Sequence, residues 1–425
     1  MHRRQALIAM TTPVSVPHKI PARAWGIVML VSLALLLFIL DRQVLAVLKT
    51  TLKGRMGWTD RDYSWLVTGF SAAYTVGALV AGRFIDRAGT RLTAALSIGV
   101  MSLAAILSGT ATNLHEMLAA RVVLGFADAG VTVAAVVAVA RWFPPERRAT
   151  AISFKTPFGL MGFVLAPPLV ALITERFDWH YAFFIPGGFG LLVPAVWWWL
   201  DRNPPDYGEP AAPRRTVPWR ELLGHRALWG ILLARVVAEP VYVFYTNWQP
   251  GYLQEGLGLT LADVGRYAWI PPIASSALAI LGGLASDRLF KSGFSPVRSR
   301  TVMMQTFALL GTSLWLLPYS RNWALAIGVF ACIHMVYTQW NNLGAALIAD
   351  SLPREFTGTA FGVLNFLIGV VGAVMNLVIG ALIQAFGYGT VFALLGLLYP
   401  LGAVVLWWFY VRPPKALAVP AITAA

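Results

Sequence analysis

Gly82-Arg83-Phe84-Ile85-Asp86-Arg87-Ala88-Gly89-Thr90-Arg91 is a short, cation-rich stretch between two long apolar runs. It recurs in outline as Gly283-Leu284-Ala285-Ser286-Asp287-Arg288, 201 residues further on and again between apolar runs. Two more matches follow in order. Pro144, Glu146, Thr150 and Ala151 return as Pro353, Glu355, Thr359 and Ala360, 209 residues on. Gly159, Gly162 and Ala171-Leu172-Ile173 return as Gly369, Gly372 and Ala381-Leu382-Ile383 at an offset of 210. Three ordered matches at nearly constant offset indicate a duplicated unit.

Composition fixes the medium around that unit. Of 425 residues, 58% are hydrophobic and 12% charged, whereas soluble domains carry about 45–50% and about 25%. A soluble enzyme and a disordered chain are excluded, and a single cysteine, Cys332, excludes a disulfide scaffold. The net charge of +14 falls in the loops between apolar runs. It therefore reads as the cations that hold cytoplasmic loops in place, not as a nucleic-acid surface. His2, Arg3 and Arg4 precede an apolar stretch too short for a signal peptide.

Long apolar runs predict twelve membrane-crossing helices. The first six span residues 24–47, 62–84, 92–112, 114–142, 149–174 and 179–201. The second six span 227–250, 262–286, 299–319, 322–349, 356–386 and 388–411. With both termini inside, 23 of the 33 Lys and Arg lie on inner segments, 7 on outer loops and 3 deeper in helices. That asymmetry predicts cytoplasmic termini. The Trp197–Trp199 and Trp407–Trp408 runs close the sixth and twelfth spans, where their rings suit the headgroup level. The fold expected is an all-α membrane protein of two pseudo-symmetric six-helix halves. Residues 1–23 form a cytoplasmic tail, 24–201 the first half, 202–226 a proline-rich linker, 227–411 the second half and 412–425 a second tail.

These features resemble the major facilitator superfamily, of which the Asp86-Arg87-Ala88-Gly89-Thr90-Arg91 loop is the most specific mark. A closer similarity runs along nearly the whole chain. Asp41-Arg42-Gln43-Val44-Leu45, Trp58-Thr59, Asp62-Tyr63, Arg121 with Leu124-Gly125 and Asp128-Ala129-Gly130, Trp142-Phe143-Pro144 and Pro240 with Phe244-Tyr245 resemble the anion:cation symporter family. The nearest pattern within it is that of hexuronate transporters. The resemblance implies proton-driven uptake of a sugar acid or other organic anion by alternating access.

Six charged residues lie within predicted spans: Asp41, Arg42, Arg121, Asp128, Arg235 and Glu239. A charge at a helix centre costs about 2.5–3.5 kcal/mol on the lenient insertion scale, so each needs a reason. Mutual neutralisation is the bland one. Depth sorts them further. Asp41 and Arg121 lie roughly 9 and 10 Å from the outer helix ends and are expected to meet, while Asp128 lies roughly two turns deeper. Arg42, about 100° from Asp41 around the helix, is expected to face the cavity and grip a substrate carboxylate. Asp41 and Asp128 are expected to carry protons, with Arg121 as a switchable partner. The resemblance implies the same roles, although the family has Glu where this chain has Asp128. Arg235 and Glu239, four apart, are expected as an ion pair just before Pro240.

Polar side chains within the spans supply candidates for reading hydroxyls. Asn247, Gln339 and Asn341 are chosen from the seventh and tenth helices, since an unpaired hydroxyl in a dry site costs about 1–3 kcal/mol. Tyr74 and Asn365 match positions that line the cavity in the resembling family. The sequence departs from the hexuronate pattern at Trp248-Gln249-Pro250-Gly251 and Tyr337-Thr338-Gln339-Trp340, which leaves an aromatic or dicarboxylic acid as an alternative substrate. Asp86, Arg87, Arg91, Asp287 and Arg288 are expected to form a cytoplasmic gate.

The chain lacks a P-loop, a metal-spaced Cys/His cluster and a nucleophile elbow. No enzyme activity, cofactor or metal is expected. The expected partners are a small organic anion, protons and the lipid bilayer; nucleic acid is not one, and a monomer suffices. A uniporter or anion exchanger on the same fold remains the functional alternative. A signalling receptor would want a cytoplasmic partner domain, which the linker and tail do not provide.

Overall fold

The computed structural model describes residues 20–154, 156–202 and 219–411. The two tails, most of the linker and the side chain of Asp287 lie outside the described residues. Helices begin with α1 (Ala22–Val47), α2 (Lys49–Met56), α3 (Asp60–Thr110), α4 (Leu114–Trp142) and α5 (Pro145–Phe154). They continue with α6 (Thr156–Arg176), α7 (Tyr181–Gly190), α8 (Leu192–Leu200), α9 (Trp219–Gly224), α10 (Arg226–Asn247) and α11 (Gln249–Glu255). The remainder are α12 (Leu261–Tyr267), α13 (Ile270–Lys291), α14 (Pro296–Ala308), α15 (Trp323–Ser351) and α16 (Arg354–Leu406). Among the described residues nine helices are long and apolar enough to cross a membrane.

Two of those helices are too long to be single crossings. A run of 51 residues such as α3 would extend about 77 Å, against a hydrocarbon core of about 30 Å. Gly89 breaks it, with φ +76° and ψ 170°, a conformation that only glycine adopts without strain. Gly387 breaks the 53-residue α16 in the same way, at φ +74°. The chain therefore reverses at both glycines inside what is otherwise continuous helical hydrogen bonding.

Local start signals repeat as the sequence does. Thr59 and Asp62 form a capping box at the start of α3, and Thr260 and Asp263 form another at α12, 201 residues later. Asn113 caps α4 and Asn322 caps α15, 209 residues apart. Each cap is worth about 1 kcal/mol. α10 continues through Pro240 as one helix.

The surface is apolar in the way that lipid requires. Leu79, Leu107, Leu192, Phe386 and Val404 are all more than 45% exposed, and no water-soluble fold leaves such a belt uncovered. Trp198, Trp199, Trp407 and Trp408 join it, but Trp197 does not: it is 1% exposed and packed in the first-half core. Helical periodicity turns one ring of that run inward.

Chain segments before and after the linker meet along α3 and α16. Gly380 lets α16 approach so closely that a Cβ there would lie 2.5 Å from the Ser64 Cβ and 3.0 Å from the Asp60 carbonyl oxygen. Thr68 donates a 3.1 Å hydrogen bond to the Ala373 carbonyl along the same contact. α6 packs against α12, and α1 against α10 and α11. α4, by contrast, packs broadly only against α1, α3 and α5. The joined end of the bundle carries Lys49; the opposite end carries Gly89 and Asp201.

Candidate functional site

α1 and α4 carry the buried charges Asp41, Arg121 and Asp128 into the bundle. Arg121, 1% exposed, is held by Ser108 Oγ at 2.5 Å and by the Asp41 backbone carbonyl at 3.4 Å, with its guanidinium 5.2 Å from the Phe183 ring centroid. The expected meeting of Asp41 and Arg121 thus occurs through the Asp41 backbone, and no carboxylate–guanidinium pair forms. The Asp41 carboxylate is 2% exposed with Oδ1 unbonded. Ser108 lies on the second arm of α3, and nothing in its sequence context marks it as an arginine partner.

Asp128 is 0% exposed and neither carboxylate oxygen has a hydrogen-bond partner. An ionised carboxylate in that setting carries a desolvation penalty of several kcal/mol, and binding a proton removes it. Arg42, half-buried, makes no ion pair or hydrogen bond among the described residues; its guanidinium rests 5.8 Å from the Phe70 ring centroid and its Nε is unpartnered. Arg42, Arg121, Phe70, Leu45, Val67 and Asn247 line one narrow cavity between the two halves of the chain. A free guanidinium fork and an unbonded acid on neighbouring helices can bind an anion and a proton.

The remaining sequence candidates divide. Tyr74 stacks between Phe38 and Phe70 and donates to Thr132 Oγ1 at 3.3 Å. Asn247 reaches the cavity, with its side-chain amide donating to Asn376 Oδ1 at 3.0 Å and its backbone carbonyl accepting from the Tyr63 hydroxyl at 2.6 Å. Gln339 is 1% exposed and donates to the Leu278 carbonyl at 3.3 Å, so its amide is spent on joining α15 to α13. Asn341 is exposed one turn beyond Tyr337. Asn365, also exposed, lies one turn before Gly369, which faces Thr75; its amide donates to the Phe361 carbonyl at 2.9 Å.

On α10, Arg235 and Glu239 stand 3.7 Å apart and both are buried. Arg235 also lies 5.4 Å from the Tyr337 ring centroid, and Tyr337 stacks flat on Tyr242 at 3.5 Å. His334 is bound to Ser275 Oγ at 2.5 Å and stacks on Tyr245, a structural position.

At the Asp201 end, the glycine-arginine loop folds onto its own half. Asp201 accepts from Thr90 Oγ1 and Trp142 Nε1 at 2.7 Å each, Arg141 donates to Thr90, and Arg91 stacks over Trp198 and donates to its carbonyl. Asp86, Arg87 and Arg288 are exposed. The side chain of Asp287, the remaining residue of the expected gate, lies outside the described residues.

A cluster that the sequence did not single out lies at the other end. Lys49 Nζ sits 2.6 Å from Asp60 and 2.8 Å from Glu255, and Lys53 Nζ sits 2.9 and 3.0 Å from the same two acids. Burial opposes ionisation of Glu255, but the Lys49 charge and the bonds from Lys49, Tyr388 and Lys53 hold its carboxyl below the usual range. Burial likewise works against Lys53, and its bonds to Asp60 and Glu255 hold its ammonium above the usual range. Among the described residues no group of three or more His, Cys, Asp or Glu has metal-binding geometry.

Comparison with known proteins follows this geometry. The family model described as Major Facilitator Superfamily matches residues 31–375. The hexuronate transporter of Escherichia coli (strain K12) is 28% identical over 416 residues, covering 92% of this chain and 94% of that protein. The D-galactonate transporter of Escherichia coli O6:H1 is 25% identical over 389 residues, covering 86% and 90%. Among solved structures, a bacterial homologue of the human lysosomal transporter Spinster, inward-facing and occupied, superposes with a TM-score of 0.72 at 17% identity, covering 91% of this chain and 95% of that one. A D-xylose–proton symporter superposes with a TM-score of 0.71 at 15% identity, covering 91% and 97%.

Proposed function

The chain belongs to the Major Facilitator Superfamily, a multi-pass membrane transporter and not an enzyme, and on that premise we propose that it takes up a sugar acid together with protons. Similarity to hexuronate and D-galactonate transporters over most of both chains supports the substrate class. The observation that carries the coupled reading is the pairing of an unpartnered guanidinium on α1, Arg42, with a fully buried and unbonded carboxylate on α4, Asp128.

Twelve passes account for the helices: α3 and α16 each cross twice, and α13 crosses beside the nine apolar spans. Repeated capping boxes and caps at offsets of 201 and 209 support two six-helix halves. With the termini cytoplasmic, as the positive-inside asymmetry requires, the Lys49 end faces outward and is closed, and the cleft opens inward.

In this reading Arg42 offers its fork to the substrate carboxylate, and the half-buried Tyr74 and cavity-lining Asn247 meet hydroxyl groups. A proton on Asp128 or Asp41 removes the cost of an ionised acid in the closed cleft, so the loaded halves rock most readily when anion and proton are bound together. Arg121, anchored by Ser108, biases the Asp41 side of that equilibrium. An aromatic acid is a second reading, favoured by the flat Tyr242–Tyr337 stack and the Phe70 face beneath Arg42.

The test is uptake into proteoliposomes under an inward proton gradient, with labelled hexuronates, aldonates and aromatic acids, comparing wild type with Arg42→Ala and Asp128→Asn. Accumulation of one acid, lost in both variants, supports symport and names the substrate. Equilibration without accumulation, unchanged in Asp128→Asn, leaves a uniporter or exchanger.

A further inference from the structure

We infer that Lys49, Asp60 and Glu255 form the outer gate of the carrier, a charge lock between its halves that holds the outside shut and must break in each turnover. The inference rests on the alternating-access reading but not on which anion is carried or on proton coupling. Lys49, Lys53 and Asp60 come from the first half, whereas Glu255 and Tyr388 come from the second. A cluster that merely stabilised one half would draw its members from that half alone.

The geometry is that of a latch. The Lys49 side chain is 0% exposed, and its Nζ lies 4.9 Å from the Trp248 ring centroid, 5.5 Å from Tyr388 and 5.7 Å from Tyr63. Tyr388 also donates to Glu255 at 2.6 Å. Asp60 and Glu255 keep 14% and 19% of their side-chain surface, so water reaches the rim where the lock would part. Two cations face two acids, and the closed gate buries no net charge. Further bonds between the halves gather at this end: Tyr63 to the Asn247 carbonyl, Gln254 to the Val47 carbonyl at 3.1 Å, and the Arg61 amide to Gln384 at 3.3 Å.

Position ties the lock to the binding site. Lys49 opens α2, with one residue between it and the end of α1, the helix that carries Arg42. Lys49 acts as a positioning residue: it touches neither substrate nor proton site, and sets which side the cleft faces.

The test uses the full-length protein in lipid nanodiscs, with Cys332→Ser and spin labels at Arg55→Cys and Arg266→Cys, both exposed and on opposite halves at the outer end. Electron–electron resonance should give a short distance in this background. Lys49→Met and Glu255→Gln should each add a longer distance and raise the outward-open fraction at least about tenfold, as expected for losing a charge-assisted bond. The double variant should open no further than the stronger single one, because both changes act on the same set of contacts to Glu255. Should Lys49→Met fail to fold, Glu255→Gln, on the hydrated rim, carries the test. Unchanged distances in folded Glu255→Gln protein would overturn the inference, as would independent, additive effects of the two changes. A protein that responds in distance but moves no sugar acid would fail the transport reading and leave the gate standing.

Discussion

Truncating Arg42 separates binding from folding more cleanly than any other change in this site. Its guanidinium makes no hydrogen bond or ion pair among the described residues and rests 5.8 Å from the Phe70 ring centroid. Losing that contact costs about 0.5–1 kcal/mol, so Arg42→Ala should melt close to wild type in detergent. Binding should suffer far more. Two charge-assisted bonds to a carboxylate, at about 1.5–3 kcal/mol each, give a loss of about 3–6 kcal/mol. At about 1.4 kcal/mol per tenfold, this weakens the affinity by more than about a hundredfold. Arg42→Lys keeps the charge but loses the fork, and should fall between wild type and Arg42→Ala. Substrate affinity is read by calorimetry on purified protein, beside a thermal melt of each variant. Binding within threefold of wild type in a folded Arg42→Ala protein would refute the assignment of the carboxylate to Arg42.

Asp128→Asn should abolish accumulation against a gradient while leaving counterflow of preloaded substrate measurable; loss of counterflow as well would show that Asp128 is needed for rocking itself. Arg121→Ala strips the partners from Ser108 Oγ and the Asp41 carbonyl, so it should destabilise the protein by about 1.5–3 kcal/mol, visible as a lowered melting temperature, in contrast to Arg42→Ala. The outer cluster should be insensitive to pH across the neutral range. Glu255 is held below its ordinary 4.5, so its contribution is complete above that value and fades only as pH falls through the lower one. Lys53 is held above 10.5, so its contribution is complete below that value and fades as pH rises past it. With Lys49, Asp60 and Tyr388 as the other groups facing them, the label distance across the gate should stay constant from about pH 5 to about pH 10, and a change between pH 5 and pH 8 would contradict the cluster's assigned charges.

Periodicity made the helices legible, because a bilayer demands about 20 apolar residues wherever a helix crosses. Every predicted span overlaps helix among the described residues, and two chain reversals occur at Gly89 and Gly387, inside the gaps that the runs left. The sequence repeat reappears in local structure: Thr59-to-Asp62 and Thr260-to-Asp263 share the offset that the loop motif set, and both form capping boxes. Which atoms meet was not. Helical spacing brought Asp41 and Arg121 to one level, yet the arginine found Ser108 and a backbone oxygen, since donor direction depends on the neighbouring arm of α3. Gln339 was polar in a span, but packing against α13 consumed its amide.

The sequence by itself determined the solvent, the all-helical plan and the handful of charges that cannot be there by accident, because burial costs are properties of residue type and helix length. Only the tertiary structure decided which of those charges stay unpartnered and which lock together. Lys49 and Glu255 lie 206 residues apart, and attraction between charges depends on their separation in space, which no local pattern encodes.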